Sequence, residues 1–587
     1  MAMVTGGELL VRTLEAVDVK HIFGIHGAHL ETIFQACREH DIAIVDTRHE
    51  VAAGHAAEGY ARSLRKLAVA MGTAGPGFTN LLTSLTNAYL DHSPVLYLSG
   101  SAALSQAETN TLQSGFDQVA MARPVTKWAH QVTVTKDIPR LVAQAIRVAT
   151  SAPMGPVLLD LPMDVLSSPV GEESAPIPRT ITVDSAPPPP SQAVSAAIEL
   201  LAQAERPVIL VGAGAWYSHA EDELRKLVDS TGIPVYSDFQ AHGLLPSSHP
   251  LYGGTFHKLA DLETPGNRPD VVLALGVRFG LFTLGASDLL VPKAARLIHV
   301  ETDAREIGRL RDVEVAMVAD SREALRALNM QASGRRWRDL SDWHRTIRQA
   351  RTARRERLEA AALKTPTLQA ATAQTGTEQT PTSQLASAGT TPRADHEAGI
   401  HPYHAVSAIA DNIDENTIVV GDGAEAYHWL NEVISQNRPG SYLTHGFLGA
   451  VGHGLGLSLG AQVANPGRRV LCLAGDGAVG FTIAEFDTMV RLRLPIVVVV
   501  MNNRSWGASQ HFQEMVSGKD KLIGTQLANT RYHDVAAAFG CHARLVTESA
   551  ALGPAIKEAF ASGKPACLNV IVDVNPPPPE LELLSKH

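Results

Sequence analysis

Cysteine is scarce in this 587-residue chain: Cys37, Cys472, Cys541 and Cys567 lie far apart, with no Cys-x-x-Cys. That excludes a disulfide framework, and two of the four sit in apolar segments, as buried free thiols of a reducing compartment do. Long apolar runs are missing as well. None approaches the roughly 18 residues that a membrane span needs, and the N-terminus lacks the basic region and apolar core of a signal peptide. A cytoplasmic location without a membrane partner is expected. Positive charge is not in excess either: the formal net charge is −10, which argues against nucleic acid as a partner. Arg335-Arg336-Trp337-Arg338 and Arg351 to Arg357 are locally basic but interrupted by acids, so they read as solvated helix faces. Aromatics are sparse at 5%, whereas 45% hydrophobic residues, 47 glycines and 34 prolines imply ample core and many tight turns. The length suits about three or four domains.

The chain reads as α/β, with three doubly wound parallel-sheet domains. Residues 1–170 alternate helical patterns (Gly6 to Val17, Leu30 to His40, Val51 to Arg62) with short apolar strands (His21 to Ile25, Ile42 to Asp46, Leu67 to Met71, Val95 to Leu98, Val157 to Pro162). A linker from Ser167 to Ser191 ends in a proline run. Residues 192–345 form a second α/β block, in which Pro207 to Val211 enters Gly212-Ala213-Gly214. Tyr217 stands where a dinucleotide fingerprint needs its third glycine, so a Rossmann-like domain without a nucleotide is the reading. Residues 362–399 have no aromatic, valine or isoleucine and read as a flexible low-complexity linker. Residues 400–575 form the third block, and the proline run and acidic tail beyond it are expected to leave the compact body.

Chemistry concentrates in that third block. Val470 to Ala474 runs into Gly475-Asp476-Gly477, and Pro495 to Met501 runs into Asn502-Asn503, with a helix-length segment (480–492) between. Ligands of such βαβ units sit at the carboxyl ends of the strands, which brings Asp476 beside Asn503. One carboxylate and one amide oxygen suit Mg²⁺, which keeps phosphate and water oxygens as further ligands. The glycines let a diphosphate approach backbone N–H groups. Gly421-Asp422-Gly423-Ala424 and Gly446 to Gly454 add two more glycine-rich loops to the cradle.

Gly-Asp-Gly followed at this spacing by Asn-Asn resembles the thiamine-diphosphate signature. Together with Glu50 in the first block, it makes the chain resemble the pyruvate-oxidase-like thiamine-diphosphate enzymes over nearly its whole length. Gly24 to His29, Asp46 to Glu50, Glu108 to Gln113, Thr126 to His130 and Asn502 to Ala508 resemble the benzaldehyde lyases within that group. The resemblance implies thiamine diphosphate and Mg²⁺ as cofactors. It implies Glu50 on the pyrimidine ring nitrogen, promoting the imino form that deprotonates thiazolium C2; shielding from water would raise the carboxyl's pKa for that task. Metal ligands would be Asp476, Asn503 and the carbonyl of Ser505. Thr73, Gly423, Ala424, Gly449, Val451, Gly475, Gly477, Ala478 and Asn503 would surround the cofactor, Val451 as the wedge between its rings and Gly449 through its carbonyl. Other members usually carry a larger apolar residue at Val451.

His29 and Gln113 resemble the polar pair that handles the oxygens of a 2-hydroxy ketone, and Ala28, Met163, Tyr427, Ala508 and Phe512 the pocket around it. Met163 departs from the tryptophan of that group. The activity implied is cleavage of benzoin-like acyloins to aldehydes and the reverse carboligation, in a homotetramer with sites between subunits. An acetolactate-synthase-like or 2-keto-acid decarboxylase enzyme is the alternative; a flavin enzyme using the central block is a more distant one.

Overall fold

The computed structural model describes residues 2–109, 111–183, 186–263, 267–280, 283–285, 287–363 and 399–584. Residues 364–398, most of the expected flexible linker, lie outside the described residues. Within them, three six-stranded sheets are parallel throughout, and every expected strand lies in one of them.

The first sheet runs Ala43–Asp46, His21–Gly24, Ala68–Gly72, Val95–Ser101, Val157–Pro162, Trp128–Gln131. In order of appearance, its strands lie second, first, third, fourth, sixth, fifth. The third sheet repeats that order: Tyr442–Thr444, Thr417–Asp422, Arg469–Gly475, Val497–Asn502, Ala566–Ile571, His542–Val546. The central sheet runs third, second, first, fourth, fifth, sixth, the Rossmann order. Its Gly212-x-Gly214 has a packing cause, since a Cβ on Gly214 would meet the Gly276 Cα at 2.7 Å. Tyr217 ends that turn and donates its hydroxyl to Ser93 Oγ of the first block at 3.2 Å.

Small residues set the seam between the first and third blocks. Helix Glu50–Leu64 lies along helix Gly454–Ala464, and a Cβ on Gly460 would be 1.8 Å from the Ala56 carbonyl oxygen. The alanines and glycines of both helices let the backbones close, and one hydrophobic cluster spans both blocks.

Three expectations change. The segment 480–492 is not one helix but parts of two, Asp476–Thr482 and Glu485–Arg491. The Ser167–Ser191 linker is partly tied down, because Pro169–Gly171 pairs antiparallel with Met3–Thr5 and Ala175 and Ile181 are buried. The tail does not leave the body: helix Pro579–Leu584 places Glu580 in the interior against His257 and His428. Burial alone would raise that carboxyl, but the two imidazoles hold it well below the usual range. The helix Ser341–Leu363 also carries the central block beyond residue 345. All four cysteines are buried free thiols.

Candidate active site

The expected site residues fall into two groups, each in the loops after the first four strands of its sheet: His29, Glu50, Thr73 and Gln113 follow the first to fourth strands of one, and Gly423, Val451, Asp476 and Asn503 those of the other. In the third block, strand Arg469–Gly475 pairs with Val497–Asn502, with Gly475 opposite Met501, so Asp476 and Asn503 leave adjacent strands side by side. They line one cavity of about 130 Å³ with Gly423, Ala424, Glu425, Val451, Gly475, Gly477, Ala478, Ser505 and Ala508. Its lining includes no lysine or arginine. Gly423 holds φ +83°, and a Cβ on Gly475 would meet only open space, so backbone lines the cradle on both sides.

Asp476 is the strained member. It is 2% exposed, and its Oδ2 has no hydrogen-bond partner. Burial pushes its carboxyl up to about 7 against the backbone N–H groups that would lower it, and the Glu425 carboxylate adds to the rise. A cation at Oδ2 removes that penalty. The Asp476–Asn503 pair, with the Ser505 carbonyl, fits Mg²⁺. Among the described residues no group of three or more His, Cys, Asp or Glu is placed to hold a metal, so the remaining ligands would come from diphosphate and water.

Asp422 is different, although it stands in the same Gly-Asp-Gly sequence. Its Oδ1 accepts from the Gly452 N–H at 3.1 Å and its Oδ2 from the Gly454 N–H at 2.7 Å. It holds the 449–454 loop, which presents Gly449 at φ +65° and a part-exposed Val451.

In the first block, His29 Nδ1 lies 3.1 Å from Thr73 Oγ1. A Cβ on Gly75 would meet Gln113 at 2.9 Å, and one on Gly77 would meet Thr73 at 2.9 Å and Glu50 Oε1 at 3.5 Å. Glu50, His29, Thr73 and Gln113 thus share one edge. Glu50 opens helix Glu50–Leu64 and is half-buried in this chain, less shielded than expected; its Oε2 accepts from Asn80 Nδ2 at 2.9 Å. Burial lowers the His29 imidazole, which favours the neutral form. Gln113 holds φ +61°, a conformation that non-glycine residues rarely adopt.

None of these four lines the cavity at Asp476. The expected pocket residues divide likewise: Ala28 and Met163 are exposed beside the first group, and Phe512 is exposed beside the second. Tyr427 does not stand on the cavity wall; it is fully buried against Phe239, His428 and His445. Its position in a helix just after a glycine-rich loop suggested lining, but the helix turns that face toward the central block.

Several supporting residues carry no sequence signal. Gln118 accepts from the Gly75 N–H at 3.0 Å, Glu485 of the third block accepts from the Arg48 N–H at 3.0 Å, and Glu425 accepts from Asn503.

Comparison with known proteins identifies the family. The chain matches the thiamine pyrophosphate enzyme N-terminal TPP binding domain over residues 4–121, the central domain over 194–328 and the C-terminal TPP binding domain over 422–570. It is 33% identical to a probable acetolactate synthase of Mycobacterium bovis, covering 97% of this chain and 95% of that one. It is 28% identical to the acetolactate synthase isozyme 1 large subunit of Escherichia coli, over 97% and 94% of the two chains. It is 29% identical to 2-hydroxyacyl-CoA lyase 2 of Bos taurus, over 92% and 82%. These three domain matches, with a relative 33% identical over 97% of the chain, place this chain in the thiamine pyrophosphate enzyme family.

Proposed function

We propose that this protein is a thiamine-diphosphate- and Mg²⁺-dependent carbon–carbon lyase and carboligase, acting on 2-hydroxy ketones and the aldehydes that form them. The observation that carries this reading is the polar edge of His29, Thr73 and Gln113, where burial favours an uncharged imidazole. An acyloin needs such groups, able to exchange a hydroxyl proton. When bound, thiamine diphosphate supplies a nucleophilic C2 carbon and an electron sink for the bond that breaks or forms.

The chain's residues would do the rest. Glu50, with one oxygen held by Asn80, keeps its other oxygen beside the space left by Gly77, where it can share a proton with a ring nitrogen. His29, neutral through burial, accepts the substrate hydroxyl proton and returns it to the product. Gln113 orients the carbonyl oxygen. Asp476, Asn503 and the Ser505 carbonyl hold the metal. Ala28, Met163, Ala508 and Phe512 would form the apolar wall.

The two groups complete each other across a subunit interface in this reading. Leu112, Phe116, Met121 and Met163 are exposed around the first, and Phe481, Phe512, Met515, Val516 and Ile523 around the second. Apolar side chains exposed beside both groups are what an interface between subunits would cover, and the reading takes a homodimer as the minimum and a homotetramer as the assembly.

A second reading is favoured by the relatives' names. Acetolactate synthases match nearly the whole chain, and those names back this alternative better than a benzaldehyde-lyase-like activity. The two separate when holoenzyme is incubated with benzoin, an aliphatic acyloin and pyruvate in turn, following aldehyde, CO₂ and acetolactate. Aldehyde from either acyloin supports the lyase. Acetolactate and CO₂ from pyruvate, with no aldehyde from either acyloin, would replace it with the synthase.

A further inference from the structure

Glu425 has no part in the roles described so far, yet its carboxylate sits in the wall of the metal cradle with its side chain only 11% exposed. We propose that Glu425 is a positioning residue for the metal loop: with His511 it aims the Asn503 amide, and the chain of side chains beyond it holds Ser505. This rests on the Asp476–Asn503 cation site proposed above.

An asparagine amide can present either end to a cation, and only the oxygen end binds one. A carboxylate can only accept. Asn503 Nδ2 donates to Glu425 Oε2 at 2.9 Å, so Oδ1, which accepts from the Ser505 N–H at 3.0 Å, turns to the metal side with its second lone pair. The carboxylate is itself held. Its Oε1 lies 3.2 Å from His511 Nε2, and His511 is 4% exposed. His511 Nδ1 lies 3.7 Å from Glu514, whose Oε1 accepts from Gln510 Nε2 at 3.0 Å. Gln510 Oε1 accepts in turn from Ser505 Oγ at 2.8 Å. The chain of contacts therefore begins on Asn503 and ends on the side chain of Ser505, two of the three residues expected to hold the metal.

The backbone makes room for it. A Cβ on Gly507 would lie 1.4 Å from Glu425 Oε2 and 2.7 Å from Asn503 Nδ2. Glycine at 507 is thus required by the carboxylate's berth, an observation independent of the hydrogen bonds. Arg504, between the two tied residues, holds φ +58°, so the turn being fixed is one that a free chain seldom adopts.

The test uses full-length protein at saturating thiamine diphosphate, with the thermal midpoint followed against Mg²⁺ concentration for the parent, Glu425→Ala, Glu425→Gln and Gly507→Ala. Glutamine keeps an oxygen to accept from Asn503. Glu425→Ala is expected to raise the half-saturating Mg²⁺ about 10–100-fold, as removal of groups that orient metal ligands does. Glu425→Gln should restore most of that loss, and Gly507→Ala should reproduce it by displacing the carboxylate. An unchanged Mg²⁺ midpoint in Glu425→Ala, accompanied by a lower midpoint without Mg²⁺, would reduce Glu425 to packing and overturn the proposal. So would Glu425→Gln behaving like alanine, since charge rather than aim would then be the cause. Should Glu425→Ala not fold, Gly507→Ala against Glu425→Gln still decides. A parent that shows no Mg²⁺ response fails at the cation site itself, before any variant is compared.

Discussion

The first and third sheets share one strand order and carry their groups after the same four strands, yet the two sites are built from opposite materials. In the third block the wall is backbone and glycine around one buried carboxylate oxygen without a partner. In the first it is side chains, His29, Thr73, Gln113 and Glu50, fitted into space left by glycines. One arrangement suits gripping a charged group, the other suits moving protons. Topology decides where a site forms, and the residues at strand ends decide its chemistry.

Separation of grip from proton transfer can be broken first at Glu50. Glu50→Gln is expected to slow proton exchange at cofactor C2 by about 10²–10⁴-fold, the usual scale of acid–base assistance, while thiamine diphosphate still shifts the thermal midpoint. Unchanged exchange would deny the first block its activating role.

The two Gly-Asp-Gly tripeptides give the next test. Asp476→Ala should raise the Mg²⁺ requirement more than about 100-fold, beyond what loss of a merely supporting group causes, with little loss of stability in the cofactor-free protein. Asp422→Ala should do the reverse. It strands the Gly452 and Gly454 N–H groups, at a cost of about 3 kcal/mol in urea unfolding. If both variants lost metal response equally and kept their stability, the distinction between anchor and staple would fail.

The seam between the blocks can be read through pH. Burial pushes Glu485, which accepts from the Arg48 N–H just before Glu50, up to about 7 from its ordinary 4.5. A raised folded value means the carboxyl costs nothing below 4.5, and that its contribution is lost as pH rises through about 7. Stability should therefore fall across that window by at most about 3 kcal/mol, and Glu485→Gln should flatten the slope in urea unfolding at pH 5, 6 and 7.5. A smaller effect is expected at Met163. Met163→Trp should change the preference between aromatic and aliphatic acyloins by about tenfold or less, read from the ratio of kcat/KM values.

Much of this was legible without coordinates, for identifiable reasons. Strands buried on both faces appear as continuous runs such as Val497 to Met501, and glycine clusters mark their ends. The adjacency of Asp476 and Asn503 followed from the βαβ rule, and the small-residue helix after Glu50 announced a close packing partner without naming Gly454–Ala464. Short strands such as Val235–Ser237 inside the central sheet and Val315–Val318 at its edge were not legible, being too short to show a pattern. The tail was misread because Glu580 is acidic and follows prolines, and its partners His257 and His428 lie far upstream.

Sequence alone determined the parallel α/β architecture and, through motifs that resemble a known family, pointed to thiamine diphosphate, because both depend on local patterns of a few tens of residues. Tertiary structure decided which of two identical Gly-Asp-Gly motifs keeps an unpaired carboxylate oxygen, that Tyr427 turns away from the cavity, and that Glu425 faces Asn503. Those are questions of what a buried polar atom meets across the fold, and no local pattern carries that information.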